Sequence, residues 1–162
     1  MGRVEGIFRV RKPIIGMVHL RPLPGAPLYD PTVMGMNRIL EIAVEEAKML
    51  EDAGVDGVQV ENMWDIPYLP SQKIGPDTVA ALAVSVRKVS ESISVPVGAE
   101  CHMNAAQAAL SCAVAGDAKW IRVFEFCNAF ISQSGFIDAA GGEIARQRGN
   151  LKADIAFLCD VY

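Results

Sequence analysis

Apolar residues along the chain recur with two different spacings. Short apolar runs are typical of buried strands, and the longer segments between them carry apolar residues every three or four positions, as amphipathic helices do. Five strands are predicted on this basis: PIIGMVHL (13–20), VDGVQVEN (55–62), VPVGAEC (95–101), KWIRVFEF (119–126) and ADIAFLCD (153–160). Because strands and helices alternate, the pattern predicts an α/β fold with a parallel sheet.

The helices predicted between these strands have recognisable ends. The first covers 37–53 and stops at Gly54, a residue type common just beyond a helix C-terminus. The second covers 75–93 with Pro76 in its first turn. Asn104 is predicted to cap an alanine-rich helix that ends at Gly116. The last helix, 137–151, is predicted to be weaker, because two adjacent glycines cost about 2 kcal/mol relative to alanine.

Two α/β architectures fit this order. A five-stranded doubly wound sheet suits the length, but the loop HLRPLPGAP after the first strand lacks the G-x-G-x-x-G pattern common in that fold. A (β/α)₈ TIM barrel needs about 250 residues. The polar ends of the strands favour the barrel, so we expect residues 1–162 to form one partial TIM-barrel domain covering about the first five βα units.

The amino-acid composition indicates a globular protein and disfavours several other classes of protein. Apolar residues make up 51% of the chain and charged residues 21%, as in globular proteins. The net charge of −4 disfavours nucleic acid as a partner. No apolar run reaches the ~20 residues of a membrane span, and the first residues lack the apolar stretch of a secretory signal. Four cysteines without a C-x-x-C pair predict reduced, mostly buried thiols and a cytoplasmic location.

Every predicted strand ends in polar side chains, at the position where TIM-barrel enzymes hold their active sites. In chain order they are His19, then Glu61 and Asn62, then Glu100 and His102, then Arg122 and Glu125, and finally Asp160. Strands commonly end where polarity begins, but five such ends together favour a functional site. Glu61 or Glu100 is a candidate general acid or base. His19, His102 and Glu100 are candidate metal ligands, although the spacing matches no H-x-H or H-E-x-x-H motif.

Two segments carry a resemblance to a known family. The loop that begins at His19, His-Leu-x-Pro-Leu-Pro-Gly-x-Pro, and the segment Val60 to Pro67, Val-Glu-Asn-x-x-Asp-x-Pro, are its most specific parts. In these segments, and over essentially the whole chain, the sequence resembles the BtpA/SgcQ family of TIM-barrel proteins. The resemblance implies a (β/α)₈ barrel of 250 residues or more, with a distant likeness to isomerases of the phosphoribosylanthranilate isomerase type. Some members of the family are connected with photosystem I accumulation.

The resemblance also implies roles for individual residues. His19 and Glu61 are expected to act in acid–base chemistry or metal binding, and Arg122 to neutralise charge. Asn62 and Asn104 would orient a substrate, with Asp65 and Asp160 as supporting polar residues. The family commonly has Asn-x-Leu-Arg-Asn-Asp after the third strand, where this chain has Glu100-Cys101-His102-Met103-Asn104-Ala105. An arginine and an aspartate of that motif are therefore replaced.

The expected function is the binding or conversion of a small metabolite, phosphorylated or not, at the strand C-termini; no cofactor is assigned. A partial barrel would lack strands six to eight and expose two sheet edges, so self-association is expected. A truncated gene, completion by another chain and a rearranged open sheet are the three explanations of such a barrel. Two alternative functions are a non-catalytic assembly factor that binds a protein partner and an inactive fragment.

Overall fold

The computed structural model describes residues 3–161, which form seven strands and five α-helices. The strands are β1 (Ile15–His19), β2 (Gly57–Glu61), β3 (Val97–Glu100), β4 (Trp120–Val123), β5 (Phe130–Ser132), β6 (Gly135–Ile137) and β7 (Ala156–Cys159). The helices are α1 (Arg3–Phe8), α2 (Met36–Asp52), α3 (Pro76–Ser90), α4 (Ala106–Ala115) and α5 (Gly141–Leu151), with a 3₁₀ turn at Ser71–Lys73. Within this part of the chain, no helix is both long and apolar enough to cross a membrane.

Five of the strands make one parallel sheet in the order β1-β2-β3-β4-β7. Each strand therefore pairs with the next strand of the sheet along the chain. The sheet confirms the predicted α/β fold and its five parallel strands, and it has no reversal of strand order of the kind that defines a doubly wound sheet. It is open: in residues 3–161, β1 and β7 are edge strands. Residues 1, 2 and 162 of the predicted domain lie outside the described residues.

Local sequence explains where the helices begin and end. Pro76 occupies the first turn of α3, as predicted, because proline has no N–H to lose there. Gly54 follows α2 with a φ of +86°, a left-handed conformation that glycine adopts without steric cost. Leu151 ends α5, and Lys152 after it takes a φ of 51°. The predicted ends of α2 and α3 thus agree with the structure to within a few residues.

Alternate residues of each strand face opposite sides of the sheet. One face packs against α2, α3, α4 and α5 and forms the main core, in which Val58, Val60, Ile121 and Leu110 are almost fully buried. This arrangement follows from the period of two in a strand and of 3.6 in a helix. The alanines on the buried side of α4 allow that helix to lie close to the sheet.

The second face carries the smaller core at its N-terminal end and the polar residues at its C-terminal end. Phe8 of α1 packs against Trp120 of β4 with ring centroids 4.8 Å apart, and Ala156 completes this small cluster. The Trp120 ring crosses β3 at Gly98, where an added Cβ atom would overlap the indole. Glycine at this position is therefore what lets the indole lie flat across the sheet.

Three sequence predictions about local structure are wrong. Ala105, rather than Asn104, is the N-cap residue of α4, and no side chain caps this helix. The strand predicted over 119–126 ends at Val123, because residues 124–126 turn away toward the β5–β6 hairpin. The helix predicted over 137–151 begins at Gly141, since Ile137 pairs with Phe130 in that hairpin.

Candidate functional site

The strand register brings ionisable residues together at the C-terminal edge of the sheet. His19 pairs in register with Glu61, and Glu61 with Glu100. All three lie on the face of the sheet that α2–α5 do not cover. His19 Nε2 lies 2.9 Å from Glu61 Oε1, and Arg122 Nη1 on β4 lies 3.3 Å from Glu100 Oε2. The side chains of Glu61 and Glu100 are almost completely buried, whereas 40% of the His19 side chain is exposed.

One amide holds both glutamates. Gln59 Nε2 donates to Glu61 Oε2 and to Glu100 Oε2, each at 3.0 Å. The amide oxygen of Gln59 accepts a hydrogen bond from Trp120 Nε1 at 3.1 Å. Since the indole can only donate, it fixes which end of the Gln59 amide points at the carboxylates. The two Oε2 atoms are thereby engaged, while the two Oε1 atoms point toward the histidines.

His102 completes the cluster from the loop after β3. Its Nε2 atom lies 3.6 Å from Glu100 Oε1 and 3.9 Å from Glu61 Oε1. The ring stacks on Tyr68, with centroids 4.8 Å apart, and tilts against Phe124. Among the described residues, neither ring nitrogen of His102 has a hydrogen-bond partner, and neither has Glu100 Oε1. Three buried polar atoms are thus unsatisfied in one place, which is uncommon in a folded interior.

Arg122 connects the cluster to the end of β7. Its guanidinium makes a two-point contact with Asp160, with Nε–Oδ1 at 3.0 Å and Nη2–Oδ2 at 2.8 Å. It also lies 4.3 Å from the centre of the Phe124 ring. The hydrogen bonds to Asp160 raise the pKa of Arg122 further above its ordinary value, so the guanidinium stays charged.

The two buried glutamates have opposite pKa shifts. Burial, with the charge of Glu61 second, raises the pKa of Glu100 to about 9. Burial also raises the pKa of Glu61, but polar contacts with His102, Glu100 and Gln59 outweigh burial and hold that pKa low, at about 2. In the structure as described, the pair therefore carries one negative charge at neutral pH, because two adjacent carboxylates resist ionising together.

Asn62 and Asp65 form a second polar group next to the cluster. Asn62 Nδ2 donates to Asp65 Oδ2 at 3.0 Å, and Asn62 Oδ1 accepts from the backbone N–H of His102 at 2.8 Å. Asp65 Oδ1 accepts from the backbone N–H of Leu23 at 2.8 Å. Burial raises the pKa of Asp65 above its ordinary value. These contacts join the loops after β1, β2 and β3, so they fix the surroundings of His102.

Asn104 acts on the backbone rather than at the cluster. Its Nδ2 donates to the carbonyl oxygens of Glu125 and Asp138 at 3.3 and 3.0 Å, and its Oδ1 accepts from the N–H of Glu125 at 3.2 Å. Asn104 has a φ of 52°, a conformation that asparagine tolerates better than most residues. The buried side chain therefore ties the loop after β3 to the loop after β4.

The residues predicted from the sequence thus fall into three groups. His19, Glu61, Glu100, His102, Arg122 and Asp160 come together; Asn62 and Asp65 make the adjoining pair; and Asn104 lies in a separate loop contact. Glu125 is buried after β4, with its backbone bound to Asn104. Sequence analysis missed Gln59 and Trp120. The available signal was a glutamine in the middle of the apolar run VDGVQVEN.

The burial of the cysteines agrees only partly with the prediction of reduced, mostly buried thiols. All four are free thiols, but only Cys101 and Cys112 are buried; Cys159 is partly exposed and Cys127 is exposed. Burial raises the pKa of Cys112 to about 12, and its thiol donates to the carbonyl oxygen of Val79 at 3.3 Å.

The fold and the site together define a class of protein: an α/β protein whose parallel strands follow chain order and end in a cluster of charged residues. The model of the BtpA family matches residues 10–162, and the chain belongs to this family. It is 38% identical over 152 residues to an uncharacterized protein of Thermococcus kodakarensis, covering 94% of this chain and 56% of that protein.

Two relatives carry informative names. The chain is 35% identical over 154 residues to the photosystem I biogenesis protein BtpA of Synechocystis sp., covering 95% of this chain and 52% of that protein. It is 33% identical over 153 residues to the putative sgc region protein SgcQ of Escherichia coli K12, covering 94% of this chain and 55% of that protein. The chain spans about half the length of these relatives.

Proposed function

We propose that the protein binds and converts a small polar metabolite at the C-terminal edge of the sheet. The observation that carries the proposal is the buried pair Glu61 and Glu100, placed beside the partly exposed His19 at the end of a parallel sheet. Burying two carboxylates in one place costs stability, and such costs are typical of functional sites. The exposed side of His19 is where a metabolite would enter.

The charge of the cluster favours a neutral metabolite over a phosphorylated one. Arg122 is the positively charged group in contact with Glu100, and its guanidinium is already bound at two points by Asp160. Glu61 adds a further negative charge. Without a bound cation, a phosphate would therefore meet repulsion here, whereas hydroxyl and carbonyl groups would find both donors and acceptors. Sugars and similar polyhydroxylated molecules are the class that this site suits.

The strand order supports a barrel-type fold around this site. In a TIM barrel each strand pairs with the next along the chain, and the side chains of the inner face reach the mouth at the C-terminal ends. The five parallel strands follow that rule, and α1 with Trp120 fills the opposite end of the inner face. In the proposal, Asn62, Asp65 and Asn104 hold the loops that surround the mouth. The likeness to phosphoribosylanthranilate isomerase stays a prediction.

The test is ligand binding by matched variants. A panel of neutral sugars and their phosphorylated forms would be screened by thermal shift, because a ligand that binds only the native state raises Tm. We expect neutral members to raise Tm in the wild type and in Glu41→Gln, whose carboxylate is exposed on α2. The rise should disappear in His19→Ala and Glu61→Gln. A shift that survives in both site variants, with circular dichroism showing them folded, would contradict the proposal.

A non-catalytic assembly function is the second candidate. The β5–β6 hairpin presents Ile131 and Phe136 with 82% and 62% of their surface exposed, and one relative is named a photosystem I biogenesis protein. Exposed apolar side chains of this size are typical of protein contacts. Loss of a specific partner on Ile131→Ser with Phe136→Ser, but not on His19→Ala, would favour this candidate. Self-association through β1 and β7 stays a prediction, which sedimentation velocity would test.

A further inference from the structure

We infer that Glu61, Glu100 and His102, with His19 at the exposed side, bind one divalent transition-metal ion. This inference deepens the proposed function, on which it rests for the location of the site, and it assigns the ion that would act there. It was anticipated in part by the candidate ligands His19, His102 and Glu100 and by the metal-binding role expected of Glu61, and the structure adds the geometry.

Donor atoms of three residues converge here, and His19 lies beside one of them. Ligand atoms of Glu61, Glu100 and His102 all lie within 4.8 Å of one another, and all three residues are buried. His102 is 5% exposed, and in the described part of the chain its Nε2 atom and Glu100 Oε1 have no hydrogen-bond partner. Glu61 Oε1 lies between the two histidines, 2.9 Å from His19 Nε2 and 3.9 Å from His102 Nε2.

One of the separations in this cluster matches the distance between two atoms that share a metal ion. With bonds of about 2.0–2.2 Å, two ligands at a tetrahedral angle lie about 3.3–3.6 Å apart. The distance from His102 Nε2 to Glu100 Oε1 is 3.6 Å, which is beyond a direct hydrogen bond. A bridging water would need about 2.8 Å to each atom, so it fits this gap less well than an ion does.

The carboxylate oxygens that point away from the proposed ion have hydrogen-bond partners of their own. Gln59 donates to the outer oxygens of both glutamates, and Arg122 Nη1 lies 3.3 Å from Glu100 Oε2. Trp120 in turn fixes the Gln59 amide. Such outer hydrogen bonds orient carboxylate ligands in metal sites and leave their other oxygen free to coordinate. They explain why both Oε1 atoms, rather than both Oε2 atoms, face the histidines.

The donor set indicates the class of ion. Two imidazole nitrogens with two carboxylate oxygens suit Zn²⁺, Fe²⁺ or Mn²⁺ better than Ca²⁺ or Mg²⁺, which prefer oxygen alone. A dication would also offset the negative charge that these carboxylates hold in a low-dielectric interior. Because His19 is the exposed ligand, the coordination position next to it would be open to water or to a metabolite hydroxyl.

The experiment measures metal binding by the protein alone. Protein stripped with EDTA and desalted would be titrated with Zn²⁺ by calorimetry in the background Cys127→Ser, which removes the exposed thiol. We expect one Zn²⁺ per chain. His102→Phe keeps a ring between Tyr68 and Phe124 but removes both nitrogens, and Glu100→Gln keeps the shape of the side chain. Each should weaken binding on the order of 100-fold or more, and His19→Ala about tenfold, whereas Glu41→Gln should bind as the background protein does.

Co²⁺ absorption gives a second readout, because nitrogen and oxygen ligands at a low-coordinate site produce visible bands that hexaaquo Co²⁺ lacks. Absence of stoichiometric Zn²⁺ binding, or equal affinity in His102→Phe and Glu100→Gln, would overturn the inference. Failure of the proposed function is distinguishable, because the sugar panel is run separately on stripped and Zn²⁺-loaded protein. Metal binding without any sugar response would leave this inference standing and remove the other.

Discussion

The indole N–H of Trp120 on β4 donates to the side-chain oxygen of Gln59 on β2, 3.1 Å away, across the whole width of β3. The contact exists because the residue of β3 beneath the ring is Gly98. Residues from three neighbouring strands thus determine the orientation of a single amide. That amide then holds the two buried glutamates of the candidate site. Packing toward the N-terminal ends of the strands therefore controls the geometry at their C-terminal ends.

Gly98→Ala should destabilise the protein by about 3 kcal/mol, because the new methyl group overlaps the Trp120 ring and a tightly packed interior accommodates such overlap poorly. Urea unfolding followed by circular dichroism would measure the change. The matched control is Gly149→Ala in α5, where nothing lies within 4 Å of the added atom. Alanine there should stabilise the helix by about 0.5–1 kcal/mol. Similar unfolding midpoints for the two variants would contradict the packing described here.

Trp120→Phe removes the hydrogen bond and keeps a smaller aromatic ring in its place. The variant removes the only N–H that the indole offers and leaves the buried oxygen of Gln59 without its donor, which should cost about 1–3 kcal/mol. It should also weaken Zn²⁺ binding by roughly 10–100-fold, because the Gln59 amide is no longer held in one orientation. Calorimetry and urea unfolding give the two quantities.

The control for this variant is Trp64→Phe, since the chain has two tryptophans and Trp64 is 46% exposed. We expect that variant to keep both its stability and its metal affinity. It also leaves Trp120 as the sole indole, whose fluorescence maximum should lie at the short wavelengths of a buried ring. A long-wavelength maximum would show that Trp120 is not enclosed by α1 and the sheet.

Asn104→Ala should lower the free energy of unfolding by about 2–3 kcal/mol. The substitution leaves the N–H and carbonyl oxygen of the buried Glu125, and the carbonyl oxygen of Asp138, without their side-chain partner. Asn150→Ala on the exposed surface of α5 should change stability by less than about 0.5 kcal/mol. Equal stability of the two variants would mean that Asn104 does not join the loops. That result would favour the predicted role of Asn104 in orienting a substrate.

Thiol labelling should separate the four cysteines in the native protein. We expect Cys127 to react with a disulfide reagent first and Cys159 more slowly, because exposure and thiolate content control the rate. Burial raises the pKa of both Cys101 and Cys112, so these two should react only after unfolding. Mass spectrometry of labelled peptides identifies each site, and Cys127→Ser should remove the fast phase alone. Fast labelling of Cys112 would contradict its placement beneath α3.

The periodicity of apolar residues predicted the sheet well, because each strand buries one face against a helix and each helix buries one side against the sheet. Val58 and Val60 are an example: their spacing by two follows directly from their place in the core. The β5–β6 hairpin was not predicted, because its strands are three residues long and expose Ile131 and Phe136. Such short strands leave no periodic signal that exceeds ordinary loop composition.

The candidate site could be predicted only as far as the ends of the strands could be predicted. His19, Glu61, Glu100 and Arg122 could be placed at one edge of the sheet, because parallel strands in chain order bring their ends together. The roles of individual amides could not be predicted. Asn104 is a common helix cap by residue type, yet its loop gives it a left-handed backbone and three backbone partners. The importance of Gln59 depends on Trp120, which is 61 positions away in sequence.

Alternate residues of each strand belong to opposite faces of the sheet and have different roles. In β2, Val58 and Val60 belong to the core, whereas Gln59 and Glu61 belong to the site, and in β4 the same division separates Ile121 and Val123 from Arg122. Near the C-terminal ends of the strands, every second codon can therefore change without altering the contacts between the sheet and α2–α5. A lineage with this sheet could exchange its chemistry one residue at a time while the scaffold beneath it stays the same.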